Sequence, residues 1–193
     1  MRVFLSVLIL IFSLQSLTKA DDIRDFEIEG MSIGDSLLDF FSLDKIKNGI
    51  AKNHIYKDDT FLDIEIYNQE SFQKYQNVSF SVKKNDEFFK IYQIIGFNFY
   101  YENTQECMNK VDEVSNEISS ILDGTNKTIS NKPHPDDPSG NFRQALFLHS
   151  SGSMFVECYD WSDKITNENG WTDNFSVGLA TSEYDEWLNT KAY

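Results

Sequence analysis

The chain has 193 residues and a formal net charge of −14, from 31 acidic and 17 basic residues. So much negative charge repels phosphate backbones and anionic lipid, which argues against nucleic acid as a partner and against charge-driven membrane binding. Aromatic residues make up 15% of the sequence, too large a share for an intrinsically disordered chain, and the length fits one globular domain with a real core.

The first twenty residues have the features of a secretory signal. Arg2 precedes an almost unbroken apolar run at residues 3–12, and small residues stand three and one positions before Asp21. These are the n-region, h-region and cleavage site of a signal peptide, and the apolar run is too short to span a bilayer. We therefore expect a signal peptide at residues 1–20 and one exported domain at residues 21–193, periplasmic or secreted, with no lipid-bearing cysteine and no stable membrane anchor.

Two short helices are predicted at the start of this domain. Ser32 is a good N-cap for the first helix, whose apolar side begins with Leu37 and Leu38. Ser42 is a good N-cap for the second helix, over residues 43–47, because its side-chain oxygen can accept a backbone N–H of the first turn. Both helices are too short to stand alone, so we expect them to flank a larger element.

Apolar and polar residues then alternate with the period of two that is typical of half-buried strands. The alternation predicts strands around residues 61–66, 78–83 and 88–101. The turn at residues 84–87 joins the last two as a hairpin. The three strands together are expected to form an antiparallel meander.

An amphipathic helix follows, because apolar residues recur at spacings of four and three. Asn103 and Glu106 form a capping box at its start, and Gly124 is expected to end it. Residues 123–140 then form the main loop, which contains all three prolines of the chain and is a candidate hinge or lid. The periodic positions of the helix are Cys107, Val111, Val114, Ile118 and Ile121.

The second half of the domain repeats the strand pattern. Strands are predicted around residues 142–149, 154–161 and 171–180, and Ser182 is expected to cap a last short helix. The predicted fold is therefore α+β, with an antiparallel sheet built from two three-stranded meanders. One central helix and short flanking helices are expected to pack on this sheet.

The two cysteines of the chain, Cys107 and Cys158, both lie in the predicted exported domain and both face the predicted core. An even number of cysteines in an oxidising compartment predicts one disulfide bond. Such a bond would close a long loop and contribute about 4 kcal/mol. The alternative is a pair of buried free thiols.

The best candidate for a binding site is the segment between Trp161 and Trp171, which contains Asp163, Asn167 and Asn169. Aromatic faces beside amide and carboxylate side chains suit sugars or cationic groups. The alternative is structural, since a cross-strand tryptophan pair can clamp a hairpin loop by packing alone.

The sequence predicts no catalytic residue, no metal site and no cofactor. The three histidines, His54, His134 and His149, share no ligand spacing. His134 precedes Asp136 and Asp137 in the proline-containing loop, where a metal site and a solvated turn are the alternatives. His149 lies beside a Ser-Ser-Gly turn but without a nucleophile elbow, and no glycine-rich phosphate loop is present.

Three segments carry a resemblance to a known family: DFEIEGMSIGDSLL (residues 25–38), the pair Glu106-Cys107, and VECYDW (residues 156–161). Together they resemble an uncharacterised family of small exported proteins from marine bacteria, which implies a periplasmic setting and no catalytic residues. Residues 28–101 also resemble the SmpA/OmlA/BamE outer-membrane assembly lipoproteins in their Gly-Met-Ser helix start and order of elements. The chain lacks the lipid-bearing cysteine and the Gly-x-Pro segment of those lipoproteins.

Two functions follow as expectations. The first is a non-catalytic binding or envelope-interaction protein, whose partner is an envelope protein or a glycan. The alternative is a small periplasmic hydrolase that acts through carboxylates, with glycans as its candidate substrates. A cleft that brings His134 or His149 together with at least two carboxylates would favour the hydrolase.

Overall fold

The computed structural model describes residues 20–51, 56–100, 104–134 and 137–193. The strands in these residues are β1 (Phe61–Tyr67), β2 (Asn77–Lys83), β3 (Ile91–Phe99), β4 (Asn126–Ser130), β5 (Asn141–His149), β6 (Gly152–Asp160) and β7 (Asn174–Thr181). They form one seven-stranded sheet with the order β1-β2-β3-β7-β6-β5-β4, and every neighbouring pair is antiparallel. The predicted α+β class with an antiparallel sheet is confirmed.

Helices and short turns of helix accompany the sheet. The described α-helices are α1 (Leu43–Asn48), α2 (Thr104–Ile121), α3 (Asp163–Asn169) and α4 (Ser182–Thr190), and single-turn 3-10 helices lie at Ile23–Asp25 and Leu37–Asp39. The long helix α2 is the central amphipathic helix that the sequence predicts, and it buries Cys107, Val111 and Ile118. Its predicted capping residue Asn103 lies outside the described residues.

The start of the first short helix differs from the prediction. Ser36 caps it instead of Ser32, because the backbone N–H of Leu38 donates to Ser36 Oγ at 3.2 Å. The hydroxyl of Ser32 donates instead to the carbonyl oxygen of Phe26 at 2.8 Å and holds the preceding turn. Ser42 caps α1 as predicted.

A strand lies in the segment that the sequence predicts as a loop. Within residues 123–140, β4 pairs with β5 along its whole length. The alternation rule missed β4 because an edge strand with one free side tolerates polar residues on both faces, and Ile129 is its only aliphatic residue. The second half of the sheet is therefore a four-stranded meander, β4 to β7, and it joins the first meander through the pairing of β3 with β7.

The segment between the two tryptophans is also more ordered than predicted. It contains α3, which Ser162 caps at its start and Gly170 ends with a left-handed φ of 71°. This helix is too short for its periodicity to register in the sequence, since Ile165 is its single buried residue.

At the last helix, Thr181 is the N-cap and not Ser182, which is already the first helical residue of α4.

One face of the sheet carries the main core. Helix α2 packs against β5, β6 and β7 on this face, and the short N-terminal elements cover other parts of it. Cys107 on α2 and Cys158 on β6 have their sulfur atoms 1.99 Å apart, a disulfide-bond distance, with Cα atoms 5.8 Å apart. This is the pairing that the sequence predicts, and it fastens the central helix to the sheet.

Among the described residues, α4 covers one end of the opposite face of the sheet. There α4 packs its Tyr184 and Trp187 against Phe61 and Ala180. The groove described below lies on the other part of this face. No helix among the described residues is long and apolar enough to cross a membrane.

Candidate functional site

A groove of about 280 Å³ lies on the part of the second sheet face that α4 leaves uncovered. We call it the aromatic groove. It combines aromatic surface with a few polar groups, which is the usual composition of ligand pockets. Its aromatic lining residues are Tyr67, Phe97, Phe99, Trp161 and Trp171, and its polar lining residues are Glu65, Asn77, Ser79, Thr172 and Asn174.

The strand register fixes the floor of the aromatic groove. Tyr67 on β1 stands opposite Asn77 on β2, and Asn77 stands opposite Phe97 on β3. Because cross-strand partners point to the same face of a sheet, these side chains form one row. Glu65 and Ser79 are paired in the same way and form the adjacent row.

Stacked rings hold Trp161 and Trp171 in place, and we call these two side chains the tryptophan wall of the groove. Trp161 stacks on Tyr159, with ring centroids 4.8 Å apart and an interplanar angle of 11°. Tyr159 packs on Phe142 at 4.6 Å, and Trp171 packs on Trp161 at 4.7 Å. These four rings, which we call the aromatic ladder, orient the tryptophans before any ligand arrives. Trp171 is still 38% exposed.

A carboxylate and a phenol meet at one end of the groove. The hydroxyl of Tyr67 donates to Oε2 of Glu65. Burial raises the pKa of the Tyr67 hydroxyl, and the hydrogen bond to the Glu65 carboxylate raises it further. The phenol therefore stays neutral and remains a donor. The pair fixes the Glu65 carboxylate as an acceptor beside the aromatic rings.

Asn174 places an unsatisfied acceptor beside the tryptophan wall. Its Nδ2 donates to the carbonyl oxygen of Thr172 at 3.0 Å. Its Oδ1 is buried, and among the buried side-chain polar atoms of the described residues it is without a hydrogen-bond partner. A buried unpaired acceptor costs about 1–3 kcal/mol. A donor that reached this oxygen after a small turn of the amide would recover part of that free energy.

The predicted site residues separate into two groups. Trp161 and Trp171 both line the aromatic groove. Asp163, Asn167 and Asn169 lie on α3 and are exposed, and none of them is among the lining residues. The Nδ2 of Asn167 donates within the helix, to the carbonyl oxygen of Asp163 at 2.7 Å.

Most polar groups of the groove come instead from the strands, at Glu65, Asn77, Ser79 and Asn174. Sequence reasoning missed them because alternation assigned the polar strand positions to solvent. A second signal was available, since aromatic residues share this face with them, at Tyr67 and Phe97.

Neither of the two described histidines is among the lining residues of the groove. His149 Nδ1 is 2.7 Å from Ser151 Oγ, and Ser151 Oγ donates to Asp22 Oδ1 at 3.0 Å. The serine stands between the other two, whereas a hydrolytic triad needs the histidine in that place. His134 packs edge-on against Trp161 at 5.2 Å, and His54 lies outside the described residues.

Among the described residues there is no group of three or more His, Cys, Asp and Glu side chains that could hold a metal ion. Asp136, one of the two carboxylates beside His134, lies outside the described residues. Asp137 is buried, and it accepts hydrogen bonds from the backbone N–H of Ser162 at 2.6 Å and from its hydroxyl at 2.8 Å. Its role in the fold is to hold the start of α3.

Glu157 on β6 is a buried carboxyl on the same sheet face as the groove. Gln144 Nε2 donates to its Oε1 at 2.5 Å, and Ser176 is its cross-strand partner on β7. Burial raises the pKa of Glu157 from its ordinary value of 4.5 to about 7. Glu157 lies on the opposite face of β6 from Cys158, and its side chain is buried there as well.

No protein-family model, no curated protein and no solved structure matches the chain. The two family resemblances in the sequence therefore stay predictions. The function has to be argued from the groove itself.

Proposed function

We propose that the protein is a non-catalytic saccharide-binding protein and that the aromatic groove is its ligand site. The observation that carries the proposal is the combination of five aromatic rings with carboxylate, amide and hydroxyl groups in one groove of about 280 Å³. We assign the glycan partner expected from the sequence to this groove as part of the proposal. An envelope protein as the occupant is the alternative outcome.

The two kinds of lining group match the two kinds of surface on a pyranose ring. The C–H faces of the ring are apolar and pack on the faces of aromatic side chains such as Trp171 and Tyr67, whose π faces are electron-rich. The hydroxyl groups at the rim of the ring are donors and acceptors, and they suit Asn77, Ser79 and Glu65. The aromatic ladder keeps Trp161 and Trp171 oriented, so less conformational entropy is lost when a ligand binds.

The hydrolase alternative has less support at this site. Hydrolysis of a glycosidic bond ordinarily uses a pair of carboxyl groups that flank the bond. Glu65 is the single carboxylate among the described residues that line the groove. Glu157 has the raised pKa of a candidate acid, but it is buried and does not line the groove. We therefore propose binding without catalysis.

The proposed compartment is outside the cytoplasm, periplasmic or secreted. Two observations support it: the signal-like segment at residues 1–20 and the disulfide-distance pair Cys107–Cys158. Disulfide bonds persist in oxidising compartments and are rare in the cytosol. A protein that meets saccharides of the cell envelope or the surroundings would work there.

The proposal is tested by titrating the purified protein with a panel of oligosaccharides and following the tryptophan fluorescence and the heat of binding. Trp171→Ala should weaken binding of any saccharide ligand roughly tenfold or more, because a stacking face is lost. The control is Phe88→Ala, which removes another exposed aromatic ring, 70% exposed, that does not line the groove. Equal affinities for Trp171→Ala and Phe88→Ala, or no binding of any saccharide to the unaltered protein, would overturn the proposal.

A further inference from the structure

We infer that the aromatic groove selects saccharides by charge: it takes amino sugars best, neutral sugars next, and rejects uronic acids and sulfated sugars. This inference rests on the proposed function and names the ligand class of the same site. It is argued from the charges of the lining residues, the direction of their hydrogen bonds, and the chemistry of the aromatic faces.

The charge on the lining of the groove is negative. Among the described residues, Glu65 is the single charged residue that lines the groove, and no described lysine, arginine or histidine lines it. The whole chain adds a net charge of −14, so the field at the groove attracts cations and repels anions. A carboxylate or sulfate on a sugar would enter the groove without a cationic partner, and burying an unpaired charge is strongly unfavourable.

Glu65 and Asn174 contribute hydrogen-bond acceptors to the groove. An ionised carboxylate can only accept hydrogen bonds, and Glu65 has one of its oxygens, Oε2, bonded to the hydroxyl of Tyr67. The buried Oδ1 of Asn174 is an acceptor without a partner. A ligand that fits these groups must donate, through hydroxyl, amide N–H or ammonium groups. A carboxylate or sulfate offers only more acceptors.

The aromatic faces add to the same preference. A cation over the face of a tryptophan or tyrosine ring is attracted by the negative π surface. Tyr67 and Trp171, at 54% and 38% exposed, offer such faces, and Glu65 lies on the same strand as Tyr67. A 2-amino sugar offers an ammonium group and a C–H face on one ring. It can therefore bond to Glu65 while it stacks on an aromatic side chain.

The test compares trisaccharides that share a β-1,4-linked glucose-type backbone and differ in charge: glucosamine, glucose, N-acetylglucosamine and glucuronic acid trimers. By calorimetry at neutral pH, the glucosamine trimer should bind roughly 3- to 30-fold more tightly than the glucose trimer. The N-acetylglucosamine trimer, which donates through its amide N–H, should bind at least as well as the glucose trimer. The glucuronic acid trimer should show no measurable binding.

Glu65→Gln is the decisive variant, because it removes the charge while an oxygen remains to accept from Tyr67. It should abolish the preference for glucosamine, so that the glucosamine and glucose trimers bind to the variant within roughly threefold of each other. Glu186→Gln is the matched control: it removes the same charge from an exposed position on α4, at the covered end. The control should keep the glucosamine preference.

The outcomes separate the two proposals. If none of the trisaccharides and no member of the wider panel binds, the proposed function itself fails. If neutral trisaccharides bind in the groove but glucosamine is not preferred, or glucuronic acid binds equally well, the charge selection fails while saccharide binding stands. A glucosamine preference that survives in Glu65→Gln would also overturn the inference, because another group would then be its source.

Discussion

The two ends of the second sheet face are both lined with aromatic rings, but helix α4 covers one end and a groove lies at the other. At the covered end, α4 places Trp187 on Phe61 with ring centroids 4.9 Å apart and Tyr184 on Phe61 at 5.2 Å. At the other end, Tyr67, Phe97 and the tryptophan wall form the lining of a groove. The same strands thus supply part of a core at one end and a candidate site at the other.

Polar groups separate the two ends more clearly than the rings do. At the covered end, Trp187 Nε1 donates to Asp58 Oδ1 at 2.7 Å, and Ser81 Oγ donates to Asp63 Oδ1 at 2.7 Å. Burial raises the pKa of Tyr184 to about 12, so its hydroxyl stays neutral within this packing. At the groove, Asn174 keeps a buried acceptor unpaired. The unpaired buried acceptor therefore lies at the groove, whereas these polar groups of the covered end are paired.

The largest expected difference between the ends is in stability. Trp187→Ala should lower the free energy of unfolding by about 3–5 kcal/mol, because it empties a packed position, where Trp187 is only 4% exposed. Trp171→Ala should cost less than about 1 kcal/mol, since an exposed side chain leaves no cavity. Urea unfolding followed by far-UV circular dichroism measures both.

Equal losses for the two variants would mean that the groove is as much a part of the core as the covered end. Should Trp187→Ala fail to fold, Trp187→Phe keeps the test open. That variant retains a ring but removes the indole N–H that donates to Asp58. It should still be destabilised relative to Trp171→Phe, which loses no hydrogen bond of this kind.

The second expected effect depends on pH and concerns Glu157, which lies on the groove side of this face. The unfolded carboxyl loses its proton near the ordinary pKa of 4.5, whereas the folded protein holds it to about 7. Between these pH values the unfolded state binds fewer protons, so stability falls as the pH rises. The loss attributable to Glu157 should reach about 3 kcal/mol by pH 8.

Glu157→Gln isolates this effect, because Asp185 at the covered end also has a pKa raised, to about 6, by burial. The difference in unfolding free energy between Glu157→Gln and the unaltered protein should grow from pH 5 to pH 8 in favour of the variant. Parallel pH profiles for the two proteins would show that Glu157 does not titrate in this range.

The smallest expected effect compares one polar side chain from each end. Ser81→Ala should cost about 1–3 kcal/mol, because it leaves Asp63 without a hydrogen-bond donor at a buried position, where Ser81 is 1% exposed. Asn174→Ala should change stability by less than about 1 kcal/mol, since the lost bond to Thr172 is offset by removal of the unpaired acceptor. Thermal unfolding of both variants under one condition measures the contrast. A cost for Asn174→Ala as large as that for Ser81→Ala would mean that Oδ1 is satisfied in solution.

Local patterns predicted most of the fold. Alternation placed the strands around 61–66 and 78–83, where one face is apolar without interruption, and the period of α2 was clear because the helix is long. The strand β4 and the helix α3 were missed because each buries little: Ile129 is the single aliphatic residue of one and Ile165 the single buried residue of the other. Short elements such as these are stabilised by contacts with neighbouring elements, and their own sequences show few signs of those contacts.

The site was half predictable for a related reason. Trp161 and Trp171 are close in the sequence, and their pairing follows from the segment that joins them. Glu65 and Asn174 come from strands that are distant in the sequence, and only the order of strands in the sheet brings them to one groove. Whether an outward-facing strand position is exposed or buried depends on where α4 lies, which no local pattern states.

The pairing of β3 with β7 has a consequence for the order in which the protein folds. This seam joins Phe99 to Asn174, and the groove takes residues from both sides of it, such as Tyr67 and Trp171. Contacts between segments so far apart in sequence form slowly, because a long stretch of chain must first be closed into a loop. A newly made chain can assemble its first meander early, but its groove stays incomplete until nearly its last strand is docked. Binding at the proposed site therefore requires complete folding, and we expect a truncated or half-folded chain not to bind there.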